Sequence, residues 1–418
     1  MTDPKKYTLG MHWGWVVLGT SFITLFINYS IRIGAYPILL PEMIKDLHMT
    51  KAQAGIIKSA FSITYLLFAP LMGWLTDRIG GRRVISFFCL LLGGGAFLMG
   101  EAETFTTASI FFSIVGIGSA AMWVPAAALI QRWFGVRKRG LALGILNASA
   151  GAGFGMMGLI LPTIVMRNSW RYGWFSLGIA GMILLLLNWL LLRDKPEEIG
   201  LSPWGGGVDE IAEDLSFSKK LSYIEMMKGS RFWIIGISYL AISYGSYSVL
   251  DFIVTYGTME LKIPYPISSL FITIIAFSGV IGGIVWMILS DTIGRKKSLV
   301  IIYLLLAASI LFIIFVGNQV LPLMVGIGGF GFLYGAIFPM VAACSRDYFP
   351  KEVAGTALGL LTIFYGLGAM MTPILTGYMA DVTGTFQWPF GVGAFASLFA
   401  GFLIGFLKRP KGLIRQED

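Results

Sequence analysis

Residues 75–84 read LTDRIGGRRV, and residues 289–298 read LSDTIGRKKS. Aligned, they pair Asp77 with Asp291 and Gly80 with Gly294, each 214 positions apart. A second pair of segments, RWFGVRKRGLALG (132–144) and DYFPKEVAGTALG (347–359), aligns at an offset of 215 and matches Phe134 with Phe349, Gly140 with Gly355 and Gly144 with Gly359. Two separate stretches that recur at nearly one spacing imply two halves of common origin.

The residues between these landmarks fix the class. The chain is 56% hydrophobic and 13% charged, whereas soluble domains carry about 25% charged residues. Apolar runs of about 20 residues or more alternate with short polar breaks, and each is long enough to cross a hydrocarbon core of ~30 Å as a helix. Twelve runs are read, near 12–41, 52–76, 83–101, 106–133, 139–167, 170–193, 232–259, 266–290, 297–316, 320–345, 354–379 and 387–407. The expected fold is an all-α membrane protein whose twelve transmembrane helices form two six-helix pseudo-symmetric lobes. The expected organisation is an N-terminal lobe over 1–193, a cytoplasmic linker over 194–231 and a C-terminal lobe over 232–418. Most of the 31 Lys and Arg fall on one side of this arrangement, which puts both termini in the cytoplasm. The first apolar run is too long for a cleavable signal and is expected to act as an uncleaved anchor.

Several chemistries find no support. Cys89 and Cys344 lie inside apolar runs and give no disulfide or metal spacing. His12 and His48 are the only histidines, so no cofactor, metal site or enzymatic centre is expected. The net charge of +9 is assigned to cytoplasmic loops and not to nucleic-acid binding. GAGFGMMG (151–158) follows no strand and lacks the Lys-Ser/Thr ending of a phosphate loop. With its partial copy GLGAMMTP (366–373), it is read as close helix packing across the lobe interface.

The stretch GWLTDRIGGRR (73–83) resembles the loop between helices 2 and 3 of the major facilitator superfamily, and LSDTIGRKKS is its second copy. The resemblance implies a secondary transporter with its substrate site between the lobes near mid-membrane, and gating roles for Asp77, Arg78, Gly80, Arg82, Arg83, Asp291 and Arg295. MHWGWVV (11–17) and WFGVRKRGLALGILNASAG (133–151) are similar to the signatures of monocarboxylate transporters and their oxalate/formate relatives. NYSIR (28–32) and LLLRDKPEEIGL (190–201) resemble the anion:cation symporters that carry sugar acids, in which a helix-1 arginine holds the substrate carboxylate. The match is incomplete. Helix 8, SSLFITIIAFSGVIGGIVWMILSD (268–291), lacks the anion-binding arginine of the monocarboxylate group, and Ile31 stands where the symporters have Asp. Helix 5 lacks the Gly-Pro pair of drug antiporters.

Arg32 is the candidate anion anchor. A charge at the centre of a spanning helix costs at least ~3 kcal/mol, so it should face a cavity and not lipid. A guanidinium fits a carboxylate through two parallel hydrogen bonds and stays charged. Straight-helix spacing puts Asn28, Arg32 and Tyr36 on one face with Tyr29 beside it. In helix 7, Asp251 shares a face with Tyr244, Tyr247 and Ser248, and is expected to face Arg32 and carry a coupling proton. The bland alternative is a structural Arg32–Asp251 salt bridge. Tyr65, Trp123, Asn147, Tyr334 and Tyr365 are further substrate-contact candidates, each of which could instead be a packing residue. Lys58 is expected to snorkel to the outer surface, or to extend a positive entry path.

These readings give a functional monomer in the plasma membrane that carries a small organic anion, a monocarboxylate or sugar acid, by proton-coupled symport. The alternatives are an organic anion exchanger or an exporter of amphipathic compounds.

Overall fold

The protein is described by a computed structural model that covers residues 12–206 and 223–408. Twelve helices among the described residues are long and apolar enough to cross a membrane: α1 (Trp13–Asp46), α2 (Lys51–Ile79), α3 (Gly81–Gly100), α4 (Phe105–Trp133), α5 (Val136–Arg167), α6 (Trp170–Leu191), α7 (Ser230–Glu260), α8 (Tyr265–Ile293), α9 (Arg295–Val316), α10 (Val320–Tyr348), α11 (Val353–Thr383) and α12 (Gln387–Gly405). Large apolar side chains lie on their outer surfaces. Phe315 is 82% exposed and Leu321 73% exposed, as hydrocarbon solvent permits and water does not.

Two compact units emerge. The first contains the described residues up to Met49 and those from Ala60 to 206; the second contains Thr50–Ser59 and residues 223–408. The first nine residues of α2, expected in the N-terminal lobe, therefore cluster with the second unit. Residues 194–206, expected in a cytoplasmic linker, pack on the first unit. Residues 207–222 of that linker lie outside the described residues.

Within each unit the same pairings recur. In the first unit α1 packs on α5 and α6, and α3 packs on α4 and α6; in the second α7 packs on α11 and α12, and α9 packs on α10 and α12. Individual contacts repeat too. A Cβ on Gly153 of α5 would meet the Phe26 carbonyl of α1, and a Cβ on Gly368 of α11 would lie 2.8 Å from the Leu240 carbonyl of α7. Small residues allow this approach, which drives helix association where lipid tails are as apolar as leucine. The glycine-rich stretches 151–158 and 366–373 thus bring α5 onto α1 and α11 onto α7. The second stretch also meets the start of α2, through Gly55 on the Pro373 carbonyl and Ser59 on the Met370 carbonyl.

Local chemistry sets the helix boundaries. His12 caps α1, its Nδ1 accepting from the Gly14 amide at 3.1 Å. Thr104 and Thr107 form a reciprocal capping box at the start of α4. Three helices depart from the continuous spans expected, α7 among them through a π-helical turn at Tyr256–Glu260. The helix of α4 breaks at Ala121–Met122 and resumes at Trp123. In α1, Ser30–Ala35 form a π-helical turn. Pro37 explains its position, because proline lacks the N–H that would bond to the Ile33 carbonyl and its ring crowds that carbonyl. A widened turn relieves both problems.

Candidate functional site

The π turn re-aims the side chains of α1. Such bulges insert a residue and are frequent at functional sites. Arg32 sits on the turn and is half-buried. Its guanidinium carbon lies 4.2 Å from the Tyr65 ring centroid of α2 and 5.6 Å from that of Tyr29. A cation within ~6 Å of an aromatic face gains ~0.5–2 kcal/mol, more when water is excluded. Phe61 stacks on Tyr65 with centroids 6.1 Å apart.

The expected line of Asn28, Arg32 and Tyr36 is broken by the same turn. Asn28 is buried and accepts a 2.7 Å hydrogen bond from Ser119 Oγ through Oδ1. Its Nδ2 is buried without a hydrogen-bond partner. Tyr36 is fully buried and stacks on Phe112 at 5.0 Å, so it packs α1 onto α4. Tyr29 and Tyr65 are the residues brought to Arg32. Trp123 is half-buried at the restart of α4, and Asn147 is exposed on α5.

In the second unit the candidate tyrosines meet. Tyr365 of α11 lies 5.7 Å from Tyr247 and 4.5 Å from Tyr239 of α7 between ring centroids. Tyr334 of α10 stacks on Phe330 at 6.1 Å. Tyr239, not singled out from the sequence, is fully buried with its hydroxyl unpartnered. Its apolar neighbours in α7 gave no pattern by which to find it.

Asp251 is buried, and its Oδ1 lies 3.5 Å from Lys58 Nζ of α2. Its Oδ2 has no hydrogen-bond partner. Lys58 is buried too, with only 6% of its side chain exposed. Snorkelling is therefore corrected, and the partner recorded for Asp251 is Lys58 where Arg32 had been expected. Both are isolated charges in apolar helices, and buried charges require partners; that rule was the available signal.

The two charged loops share one backbone device. Gly80 and Gly294 both have φ of 89°, a region that side chains other than glycine's strain to enter. In the first loop, the Arg82 amide donates to Asp194 Oδ1 at 2.9 Å, and the Arg82 side chain donates to the Trp189 carbonyl at 3.0 Å. Arg78 lies over Trp74, while Asp77 and Arg83 are exposed. In the second loop, Arg295 pairs with Asp291 and reaches Asp347 at 4.0 Å. Residue 194 and those after it strap the first unit. Trp204 exchanges backbone hydrogen bonds with Trp133 at 2.9 Å and Gly135 at 3.0 Å, and His12 Nε2 donates to the Ser202 carbonyl at 3.1 Å. Nothing in the sequence marked this strap, since its anchors are single residues far apart in the chain.

The profile of the Major Facilitator Superfamily matches residues 21–329 and again 237–417. The chain belongs to the major facilitator superfamily. Among curated members, it is 25% identical over 448 residues to a protein described as a probable galactarate/D-glucarate transporter, GarP, of Escherichia coli (strain K12), covering 97% of this chain and 98% of that one. It is 21% identical over 432 residues to monocarboxylate transporter 12 of Mus musculus, covering 97% and 87%. The crystal structure of the nucleoside transporter NupG has the same fold, with a TM-score of 0.76 at 13% identity, over 93% of this chain and 99% of that one. This superfamily member is a multi-pass membrane protein with the all-α, twelve-helix architecture expected, and its curated relatives are named as transporters and not as enzymes.

Proposed function

We propose that this chain is a secondary transporter of a small organic anion, a monocarboxylate or a sugar acid, working by alternating access in symport with protons. The observation that carries the reading is Arg32, a permanent cation placed by a π turn on the rings of Tyr29 and Tyr65 within a membrane-spanning helix. Stacking uses the face of a guanidinium, whereas its N–H donors lie in the plane and match the two oxygens of a carboxylate. The names of the relatives support the substrate class, since a galactarate/D-glucarate transporter and a monocarboxylate transporter both handle carboxylates. Asp251 is the one buried carboxylate among the described residues and is the proposed carrier of the coupling proton. The two charged loops, with Asp77, Arg78, Gly80, Arg82 and Arg83 in one and Asp291 and Arg295 in the other, are proposed to act in the conformational cycle without touching substrate. The bias of Lys and Arg supports both termini in the cytoplasm, and a plasma-membrane location is part of the proposal.

The test is uptake of a panel of labelled organic acids into proteoliposomes under an inward proton gradient. Saturable, gradient-driven uptake of one acid, lost in Arg32→Ala, is the expected result. If no acid moves, or if the variant matches the native protein, the reading fails and the exporter alternative takes its place.

A further inference from the structure

The start of α2 is fastened to the second unit by an unusual set of contacts. Asp381 of α11 accepts from the backbone amides of Lys51 at 3.0 Å and Ala52 at 2.8 Å, so a carboxylate from another helix caps α2. Gly55 and Gly377 let α2 and α11 touch backbone to backbone; a Cβ on Gly55 would meet the Pro373 carbonyl, and one on Gly377 the Lys51 carbonyl. Ser59 Oγ donates to the Met370 carbonyl at 2.6 Å. Beyond these contacts comes the Lys58–Asp251 pair, which joins α2 to α7. Past Ser59 the same helix runs into the first unit.

Caps and close glycine packing are indifferent to a proton in the apolar interior, but a buried ion pair is not. Removing one partner from such a pair leaves an uncompensated buried charge, and a proton can cancel that charge. Asp251 has one oxygen on Lys58 and one buried oxygen without a partner. That second oxygen is where a proton can be held while the pair separates. The other charged groups on the elements packed around α7 lie toward helix ends. Lys51 lies at the start of α2, Asp381 near the end of α11 and Glu260 at the end of α7, where it binds the Phe386 amide at 2.8 Å. Arg231, Tyr239, Tyr244, Tyr247 and Tyr256 also lie on α7, Tyr365 and Tyr378 on α11, Tyr265 and Asp291 on α8 and Arg295, Lys296, Lys297 and Tyr303 on α9, and α12 carries no titratable side chain. Among the described residues, Lys58 is the basic group within ion-pair distance of Asp251.

We propose that Lys58 is the positioning residue for the coupling carboxylate: the Lys58–Asp251 pair latches the start of α2 onto α7, and one proton taken up by Asp251 from the aqueous side releases the latch. On release Asp251 becomes a neutral acid, and Lys58 keeps its protons and is hydrated. The inference rests on the reading of the chain as a proton-coupled carrier, and it identifies the group that makes Asp251 sensitive to helix movement.

The test is hydrogen–deuterium exchange of the full chain in lipid nanodiscs without substrate, following peptides that cover 50–60. Rates are divided by the intrinsic exchange rate at each pH, between roughly pH 5 and 8, where a coupling proton has to exchange. Opening of this segment should rise with acidity, approaching about tenfold per pH unit if one proton precedes release. The slope should vanish in Lys58→Met/Asp251→Asn, survive in Asp251→Glu and survive in Asp381→Asn. A flat profile in the native protein overturns the proposal without any variant. A slope that persists in the neutral pair, or disappears in Asp381→Asn, overturns it as well. The assay needs no transport, so a pH-dependent latch in a protein that moves no organic acid would refute the transport reading and leave the latch standing.

Discussion

Replacing Arg32 with glutamine should abolish tight substrate binding while leaving the fold intact. The guanidinium stands 4.2 Å from the Tyr65 ring and 5.6 Å from the Tyr29 ring, and the residue is half-buried. A hydrogen bond to a charged group is worth ~1.5–3 kcal/mol, and a bidentate pair makes two. Truncating one partner of a desolvated charge pair costs ~2–5 kcal/mol. At 1.4 kcal/mol per decade, affinity should fall by roughly 30-fold to several thousand-fold. Arg32→Lys keeps the charge and loses the planar fork, so it should fall between native and glutamine. The platform makes an independent statement. Tyr65→Phe keeps the ring and should bind nearly as the native protein does, whereas Tyr65→Leu removes ~0.5–2 kcal/mol of cation–π attraction and should weaken binding roughly 2- to 30-fold. Isothermal titration with the acid identified by uptake reads these ratios, and the melting temperature of each variant confirms folding. If Arg32→Gln binds within about threefold of native at an unchanged melting temperature, the charge is structural and the anchor argument is wrong.

Three further outcomes are expected. Gly93 and Gly94 are neighbours with opposite surroundings: a Cβ on Gly93 would lie 2.6 Å from the Gly181 carbonyl carbon, and one on Gly94 meets nothing within 4 Å. Gly93→Ala should therefore destabilise by ~1–3 kcal/mol through overpacking, while Gly94→Ala should be neutral or stabilise by up to ~1 kcal/mol, as read by thermal unfolding in one detergent. Asp194→Ala removes the carboxylate that holds the Arg82 amide and should cost ~0.5–2 kcal/mol, as loss of a helix cap does; hydrogen exchange at 81–84 should rise with it. Trp204→Ala should free the strap from Trp15, whose ring lies 5.0 Å away, and exchange should increase over 202–205 with little change in the interior of α5.

Much of the fold was legible because a membrane simplifies it. Each span must satisfy its own backbone, so long apolar runs can only be helices, and twelve such helices stand among the described residues, as expected. The doubled loop announced the repeat, and both copies place their glycine at φ 89°. The candidate site was legible only in part. Arg32 stood out because a charge in an apolar run is costly wherever it points. Its neighbours did not follow from straight-helix periodicity, because Pro37 widens the turn and moves Asn28 and Tyr36 into packing roles.

Charge partners were the least legible. Sequence symmetry paired α1 with α7 and so suggested Arg32 for Asp251, but the carboxylate meets Lys58. That contact depends on where α2 begins, on Gly55 letting α2 lie against α11 and on the cap from Asp381, more than 300 residues away in the chain. By itself the sequence determined the membrane, the helices, the repeat and the presence of two deep charges, Arg32 and Asp251, since these follow from local composition and periodicity. Only the tertiary structure decided which charges meet, because electrostatic pairing acts over a few ångströms of space and sequence distance carries no information about it.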